Sequence, residues 1–374
     1  MKILFLLDNV RAYQTGIWLH RAEIPTVALG KRGHAIKQVA MGNEIPQQFM
    51  EWPDTVIFGR VYATQHDPIK VMRDYKKLGK RVLYDLDDDI WQVAKDNPSQ
   101  LVSNAMKDQY EGMIKEADAV ITPSPVLAKK FKKYFKNKPV FICPNGIDPN
   151  LYQERPHDNE DTLKIGYMGA ASHWKDLQLI GEVIAELNKK YDFLFTIYGL
   201  TGEPMEAAMY AYQKELQFNF QPEKNEYMKS ALKFYDQLKS TRYWHVPFMP
   251  PELHPNVLAK CDLDIGIAPL EESEFNSGKS NIKFYEYASV GTLCVASDVK
   301  PYSEEVNYRA KNTFKDWYNK LEKLIVDKEL RAKVLNEQRQ WVQKNRYANI
   351  DSPMSLAWEK ACQLPSNTKV LNQG

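Results

Sequence analysis

DIGIAPLEESEFNSGKSNIKFYEYASVGTLCVASDVKP, residues 264–301, reads as one complete folding unit. DIGIAPL is a short apolar strand, the Gly278–Lys279–Ser280 segment a polar loop, 280–290 a helix and TLCVASD a second strand. Strand, helix, strand with both strands apolar throughout implies a parallel sheet covered on both faces. Working backward, LKIGYMG, a helix over 176–190, DFLFTIYG and RYWHVPF extend the same sheet. A separate series precedes it: MKILFLLDNV, a helix over 15–31, HAIKQVAM, DTVIFGRV, the helical DPIKVMRDYKKLG, RVLYDLD, a helix near 100–117, ADAVITPS, a Lys-rich helix and PVFICPNG. Between the two, NLYQERPHDNEDT at 150–162 is polar and aperiodic, as an interdomain linker is. The expectation is an α/β protein with two Rossmann-like parallel-sheet domains, 1–155 and 156–335, followed by C-terminal helices over 336–374. Residues 201–242, carrying Tyr210, Tyr212, Phe218, Phe220, Tyr227, Phe234 and Tyr235, exceed the length of an ordinary connection and read as a helical insertion.

A chain of 374 residues has room for about two domains. Its 44% apolar and 26% charged residues exclude disordered, collagen-like and coiled-coil classes. The apolar run Ile3–Leu7 is too short for a signal core or a membrane span, and Cys143, Cys261, Cys294 and Cys362 are widely spaced without a CxxC. A reducing, cytoplasmic setting is expected. The formal charge of +2 divides as +3 over residues 1–160 (23 Lys+Arg, 20 Asp+Glu) and −1 over the rest, so no global field steers polyanions. No GxGxxG follows the first strand, and neither GxxxxGK[ST], HExxH nor a Cys/His cluster occurs, which removes the usual support for dinucleotide, P-loop and zinc chemistry.

Ligands of open parallel sheets bind beyond the carboxyl ends of the strands, so the strand-to-helix loops carry the candidate site. In the 264–301 unit, helix N-terminal amides with Lys279 and Lys283 suit a diphosphate, and Glu286, near one turn past Lys283, suits ribose hydroxyls; a solvated Lys283–Glu286 pair and an N-capping Ser280 are the plainer alternative. YDLDDDIW puts Asp85, Asp87, Asp88 and Asp89 at the end of a first-domain strand, where unpaired like charges are costly unless they meet a cation, a proton or a hydroxyl-rich substrate. Asp87 and Asp88 are assigned to sugar or acceptor hydroxyls, with N-capping of a helix near Ile90 as the alternative. Lys129, Lys130, Lys132, Lys133, Lys136 and Lys138, interleaved with Phe131, Tyr134 and Phe135, form a basic helix face open to an anionic surface or nucleic-acid backbone, or to water alone.

PNGID at 144–148, GYMGAASHWKDL at 166–177 and KSNIKFYEYASVGTLCVASD at 279–298, in this order, resemble the family 4 retaining glycosyltransferases of the GT-B fold. The likeness spans most of the chain and implies two facing domains with a nucleotide-sugar donor held by the second near the cleft, no metal and no separate cofactor. It implies donor contacts from Gly169, Ser172, His173 and Lys175, from Phe248 after RYWHVPF, and from Asn276, Lys279, Ser280, Asn281, Lys283 and Glu286. Glu286 matches the second of the family's two glutamates; the first would fall at Gly278, a departure that resembles a subgroup from surface-polysaccharide clusters and phages. Asp8, Asn9, Arg11, Gln14 and Arg21 fall on the family's acceptor side, with turn and capping roles as the alternative. Asp87, Asp88 and Lys283 are the expected catalytic residues, Lys283 by neutralising the leaving diphosphate, which in retaining members helps to deprotonate the acceptor. Trp341, Tyr347 and Trp358 lie where the family's last helices cross back to the first domain. A saccharide or lipid-linked acceptor follows from the resemblance; hydroxymethylated DNA, or a catalytically silent carbohydrate-binding scaffold, are the competing readings. Contact with the inner face of a membrane through the lysine run accompanies the lipid-linked case.

Overall fold

The computed structural model describes residues 1–7, 16–41, 45–60, 67–93, 100–154, 162–169, 173–199 and 226–363. Asp8, Asn9, Arg11, Gln14, Ser172, most of the 150–162 linker and residues 201–225 of the expected insertion lie outside them.

Among the described residues, twelve strands form two parallel sheets. The first holds β1 (Lys2–Leu7), β2 (Ala35–Ala40), β3 (Thr55–Phe58), β4 (Arg81–Asp85), β5 (Ala119–Thr122) and β6 (Val140–Ile142) in the order β2-β1-β3-β4-β5-β6. The second holds β7 (Leu163–Met168), β8 (Phe193–Tyr198), β9 (Tyr243–Val246), β10 (Ile265–Ala268), β11 (Leu293–Ser297) and β12 (Arg309–Ala310) in the order β12-β11-β10-β7-β8-β9. Ile3–Leu7 and Ile265–Ala268 are buried at every position because helices cover both faces, which is why they read as unbroken apolar runs rather than as alternation. The strand order reverses between β1 and β3 and between β7 and β10, and such reversals open a crevice at the strands' carboxyl ends.

Two helices differ from their sequence reading in ways that shape the site. The 15–31 segment is Gly16–Trp18 and Ile24–Lys31 joined by a π-helical turn, Leu19–Glu23, whose extra residue turns His20 and Arg21 into the protein. The 176–190 segment is broken into Trp174–Leu177 and Gly181–Lys190. Of the expected insertion, Glu226–Leu238 is the crossover helix between β8 and β9; Phe234 is core and the partly buried Tyr235 packs beside it, both on Trp174 with ring centroids 6.2 and 5.4 Å away. The short helix Gln47–Glu51 and strand β12 went unread because neither is long enough to show a period.

The chain passes between the sheets twice, side by side. Ile147 pairs with Tyr347 as an isolated parallel bridge, with Ile147 N donating to Arg346 O (2.8 Å) and Ala348 N to Ile147 O (2.8 Å). A Cβ on Gly146 would lie 3.0 Å from Arg346 O and 2.3 Å from Met354 Cε, so PNGID needs its glycine for this close approach. Helix Lys328–Arg346 stays with the second sheet, where Gln338 accepts from Cys294 N and donates to Cys294 O, both at 2.8 Å. Helix Pro353–Cys362 lies against the first sheet: Trp358 Nε1 donates to Pro144 O (3.0 Å), and Glu359 pairs with Arg32 (2.6 Å) and His34 (2.7 Å). Among the described residues no helix is long and apolar enough to cross a membrane.

Candidate functional site

The carboxyl edges of the two sheets face one another across a cavity of about 460 Å3. Its second-domain wall is built from the βα loops. Gly169 and Gly199 end β7 and β8 side by side, Gly169 N donating to Tyr198 O (3.0 Å). Gly199 sits at φ +87°, and a Cβ there would come 2.9 Å from Gly169 O, so only glycine allows this all-backbone surface. Above it, Lys279, Ser280 and Lys283 enter from the start of helix Ile282–Ser289, whose positive end adds to the lysine charge. Lys283 Nζ lies 5.6 Å from the centre of the Tyr167 ring; burial pushes its ammonium down to about 8, assisted by Lys279 and opposed by Asp176 and Glu286. A cation desolvated beside a second cation is a poised anion receptor. Since only the protonated form attracts an anion, diphosphate affinity is expected to weaken about tenfold between pH 7 and pH 9, a titration calorimetry measurement that Lys283→Met should render pH-insensitive over this range.

His173 lines the cavity, and its Nδ1 faces Asp176 Oδ2 at 2.6 Å. Burial, with Lys279 and Lys283 nearby, drives this imidazole down to about 3, so it is neutral with its proton on Nδ1 toward the carboxylate. Asp176 in turn accepts from Glu271 N (2.7 Å), which ties the β7 loop to the β10 loop. Phe248 also lines the cavity and is 59% exposed, so it is an open apolar surface rather than core.

Glu286 is 2% exposed, not a solvated partner of Lys283. Its Oε1 receives Tyr152 OH (2.6 Å), His254 Nε2 (3.0 Å) and His20 Nε2 (3.1 Å), while Oε2 accepts nothing from the described residues. Burial pushes this carboxyl up, but His254 and His20 outweigh it and hold the group well below the ordinary carboxylate range. Tyr198 OH hydrogen-bonds His254 Nδ1 (2.8 Å) and its ring stacks on the imidazole, which fixes the donor at Nε2. None of His20, Tyr152 and His254 was singled out from the sequence.

Across the cavity, the four aspartates of YDLDDDIW are divided among three cations. Arg21 takes Asp85, Arg60 takes Asp88 (2.6 Å) and Asp87 (3.3 Å), and Lys130 takes Asp89 (3.0 Å). No helix begins at Ile90, so helix capping does not account for them. Asp87 and Asp88 line the cavity and titrate as a pair: burial, with Asp88 adjacent, lifts Asp87 to about 6 against the pull of Arg60, while Arg60 and Lys279 draw Asp88 down. Among the described residues no three His, Cys, Asp or Glu side chains converge into a metal-holding cluster.

Four groups of expected site residues are engaged elsewhere. Arg21 lines the cavity, yet its guanidinium is spent on Asp85, Cys143 O and Asn145. Asn276 and Asn281 turn away: Asn276 Nδ2 donates to Glu271 O (2.8 Å), and Asn281 Nδ2 to Glu305 (2.7 Å) in a neighbouring pocket. Lys175 is half-buried and does not line the cavity. Of the lysine run, Lys129, Lys132, Lys133 and Lys136 are exposed, whereas Lys130 bridges Asp89 and Glu274 (3.0 Å each) and Lys138 donates to Lys115 O and Ala117 O. Their aromatic neighbours Phe131, Tyr134 and Phe135 pack on Trp91.

No family model matches the chain, and no curated protein does. Solved structures do. An alpha-glucosyltransferase in complex with UDP and a 13-mer DNA containing a HMU base is 13% identical with a TM-score of 0.65, over 96% of this chain and 98% of that one. Sucrose-phosphate synthase from Thermosynechococcus elongatus is 11% identical with a TM-score of 0.62 over the same shares of the two chains. Anabaena HepE in complex with UDP is 15% identical with a TM-score of 0.60 over 97% and 100%. With two parallel six-stranded sheets facing across a cleft and these likenesses along nearly its whole length, the chain has the two-domain GT-B fold.

Proposed function

We propose that the chain is a glycosyltransferase that moves a sugar from a nucleoside-diphosphate donor to an acceptor hydroxyl, with retention as in the family 4 enzymes its motifs resemble. The observation that carries this is the pairing of opposites in one cleft: Lys279 and Lys283 over a glycine-backbone surface on one wall, Asp87 and Asp88 on the other. The cationic wall takes the diphosphate and stabilises charge that grows as the glycosidic bond breaks, a leading source of rate enhancement. The acidic wall orients hydroxyls, Asp87 being the side chain whose proton affinity suits transient proton transfer near neutrality. Glu286 Oε2 faces the donor's ribose hydroxyls, and Phe248 offers a surface to the base. On this reading residues 156–335 form the donor domain, residues 1–155 the acceptor domain, and the nucleotide sugar is a substrate rather than a resident cofactor. Residues 336–374 contribute the helices that rejoin the two.

The acceptor is a saccharide or lipid-linked glycan met at the cytoplasmic side. A DNA acceptor has one specific observation in its favour, the exposed face Lys129, Lys132, Lys133 and Lys136 on the acceptor domain, together with a fold neighbour solved on DNA. Nucleoside-diphosphate release from a panel of nucleotide sugars, with and without hydroxymethylated DNA, tests both. Release is expected with one donor and is lost in Lys283→Met. Stimulation by DNA that fades steeply as salt rises selects the DNA acceptor. No release from any donor, with no binding of any nucleoside diphosphate, overturns the transferase reading in favour of a silent scaffold.

A further inference from the structure

Just beyond β7, the chain carries an ionisable pair to which the contacts with diphosphate, ribose, base and acceptor give no work, His173 and Asp176. Asp176 is held on both sides: Oδ1 accepts from Glu271 N (2.7 Å) and Oδ2 faces His173 Nδ1 (2.6 Å). So short an approach between a ring nitrogen and a carboxylate oxygen needs a proton between them. Burial pushes the Asp176 carboxyl up, but His173 and Lys279 outweigh it, so the carboxylate stays ionised and the proton belongs to the imidazole. With Nδ1–H committed and the ring neutral, Nε2 carries a lone pair and can only accept. That atom is open to the cleft. The His173 side chain is 13% exposed and lines the cavity, and Nε2 pairs with no described residue yet is not among the polar atoms sealed from solvent.

We infer that His173 Nε2 is a specificity-determining acceptor for one hydroxyl of the transferred sugar, and that Asp176 is the positioning residue that makes it an acceptor by holding the ring's proton on Nδ1. This rests on the nucleotide-sugar reading of the cleft and assigns the part of the donor that the other residues leave unclaimed. A diphosphate presents acceptors alone, which an Nε2 lone pair repels, so His173 does not share the work of Lys279 and Lys283. Ribose falls to Glu286 and the base to Phe248. The sugar remains, and its hydroxyls are donors of the kind Nε2 requires. Position agrees with chemistry: His173, Lys279 and Asp88 all line the cavity, Lys279 acts on the ionisation of both others, and His173 acts on Asp88, so the imidazole lies close to the diphosphate wall and to the acidic wall. A buried group that can only accept rejects an analogue that cannot donate, because the mismatch leaves two acceptors facing one another.

Titration calorimetry on the full chain tests this with UDP-glucose, dTDP-glucose and GDP-mannose, each compared with its bare nucleoside diphosphate and with its monodeoxyfluoro analogues, in which C–F accepts but cannot donate. Wild type is expected to bind one fluoro analogue about threefold to tenfold more weakly than the parent sugar, the worth of one neutral hydrogen bond. That penalty should vanish in His173→Ala, while penalties at other ring positions persist. It should vanish also in Asp176→Asn, with the imidazole still in place. There Oδ1 keeps Glu271 N, Nδ2 donates to Nδ1, and the ring proton moves to Nε2, which then donates to fluorine and hydroxyl alike. A residue that merely shapes the loop would not exchange one preference for another in this way. Asp176→Asn is nearly isosteric, so the test does not depend on the folding of His173→Ala, and binding of the bare diphosphate reports a folded cleft in each variant. A penalty that survives in either folded variant, or a bound diphosphate with no ring position sensitive to fluorine, overturns the inference and leaves the transferase reading standing. Wild type that binds no nucleoside diphosphate overturns that reading, and this inference with it.

Discussion

Arg21→Ala is expected to cost about 3–5 kcal/mol, measured as a lowered midpoint of first-domain unfolding, because it strands a buried charge. Arg21 and Asp85 are 4% and 3% exposed at their side chains and meet through two bonds, Nε to Oδ2 (2.9 Å) and Nη2 to Oδ1 (2.6 Å). The same guanidinium donates to Cys143 O (2.6 Å) and Asn145 Oδ1 (2.9 Å) and lies 4.6 Å from the centre of the Trp358 ring. It therefore joins the π-turn, the end of β4, the exit of β6 and the C-terminal helix. Burial already pushes the Asp85 carboxyl up against the opposing pull of Arg21. Without Arg21 the folded-state value rises further above the unfolded one. A group shifted in that direction favours folding below its unfolded value and loses that contribution as pH rises through the folded value. The deficit of Arg21→Ala should accordingly shrink as pH falls toward the ordinary carboxylate range. Arg21→Ala with Asp85→Asn should cost less than the two single changes added together, since the second removes the charge the first strands.

The position of Arg21 also marks where reading the chain by itself stops. The strands were legible because a sheet covered on both faces leaves continuous apolar runs, as in Ile3–Leu7 and Ile265–Ala268. The loop-to-helix start at Lys279–Lys283 was legible because a polar loop ahead of an apolar helix is a local signal. A single residue of extra winding at Leu19–Glu23 was not, since a helical period treats His20 and Arg21 as ordinary surface positions. The aspartate cluster was visible as a cluster, whereas its partners Arg21, Arg60 and Lys130 come from other elements and decide which carboxylates face the cleft. Asn276 and Asn281 sit next to the anion loop in sequence, but backbone geometry points their amides at Glu271 and Glu305. Adjacency along a loop fixes position and leaves direction open.

Glu286→Gln is expected to lower kcat/KM for nucleoside-diphosphate release by about fivefold to tenfold, the loss that follows when a charge-assisted hydrogen bond of about 1.5–3 kcal/mol becomes a neutral one of about 0.5–1.5 kcal/mol. The three donors on Oε1 come from positions 266, 134 and 32 residues away, in the first domain, at the linker and at the start of helix His254–Lys260. One carboxylate oxygen thus holds the domains together while its other oxygen stays available to a hydroxyl, so closure and donor recognition share a single group. The amide is nearly the same shape and keeps an acceptor at that position, so the variant should fold, whereas Glu286→Ala would leave Tyr152, His20 and His254 without their common acceptor in a buried site. The charge has its own signature in acid. The folded-state carboxyl lies below its ordinary value of 4.5, so its contribution to stability is present above that value and is lost as pH falls below it. Thermal unfolding of wild type and Glu286→Gln should therefore differ most near neutrality and converge on acidification. A gap that instead widens in acid would mean that the carboxylate is not the stabilised form, and that His20 and His254 are gathered there for some purpose other than holding its charge.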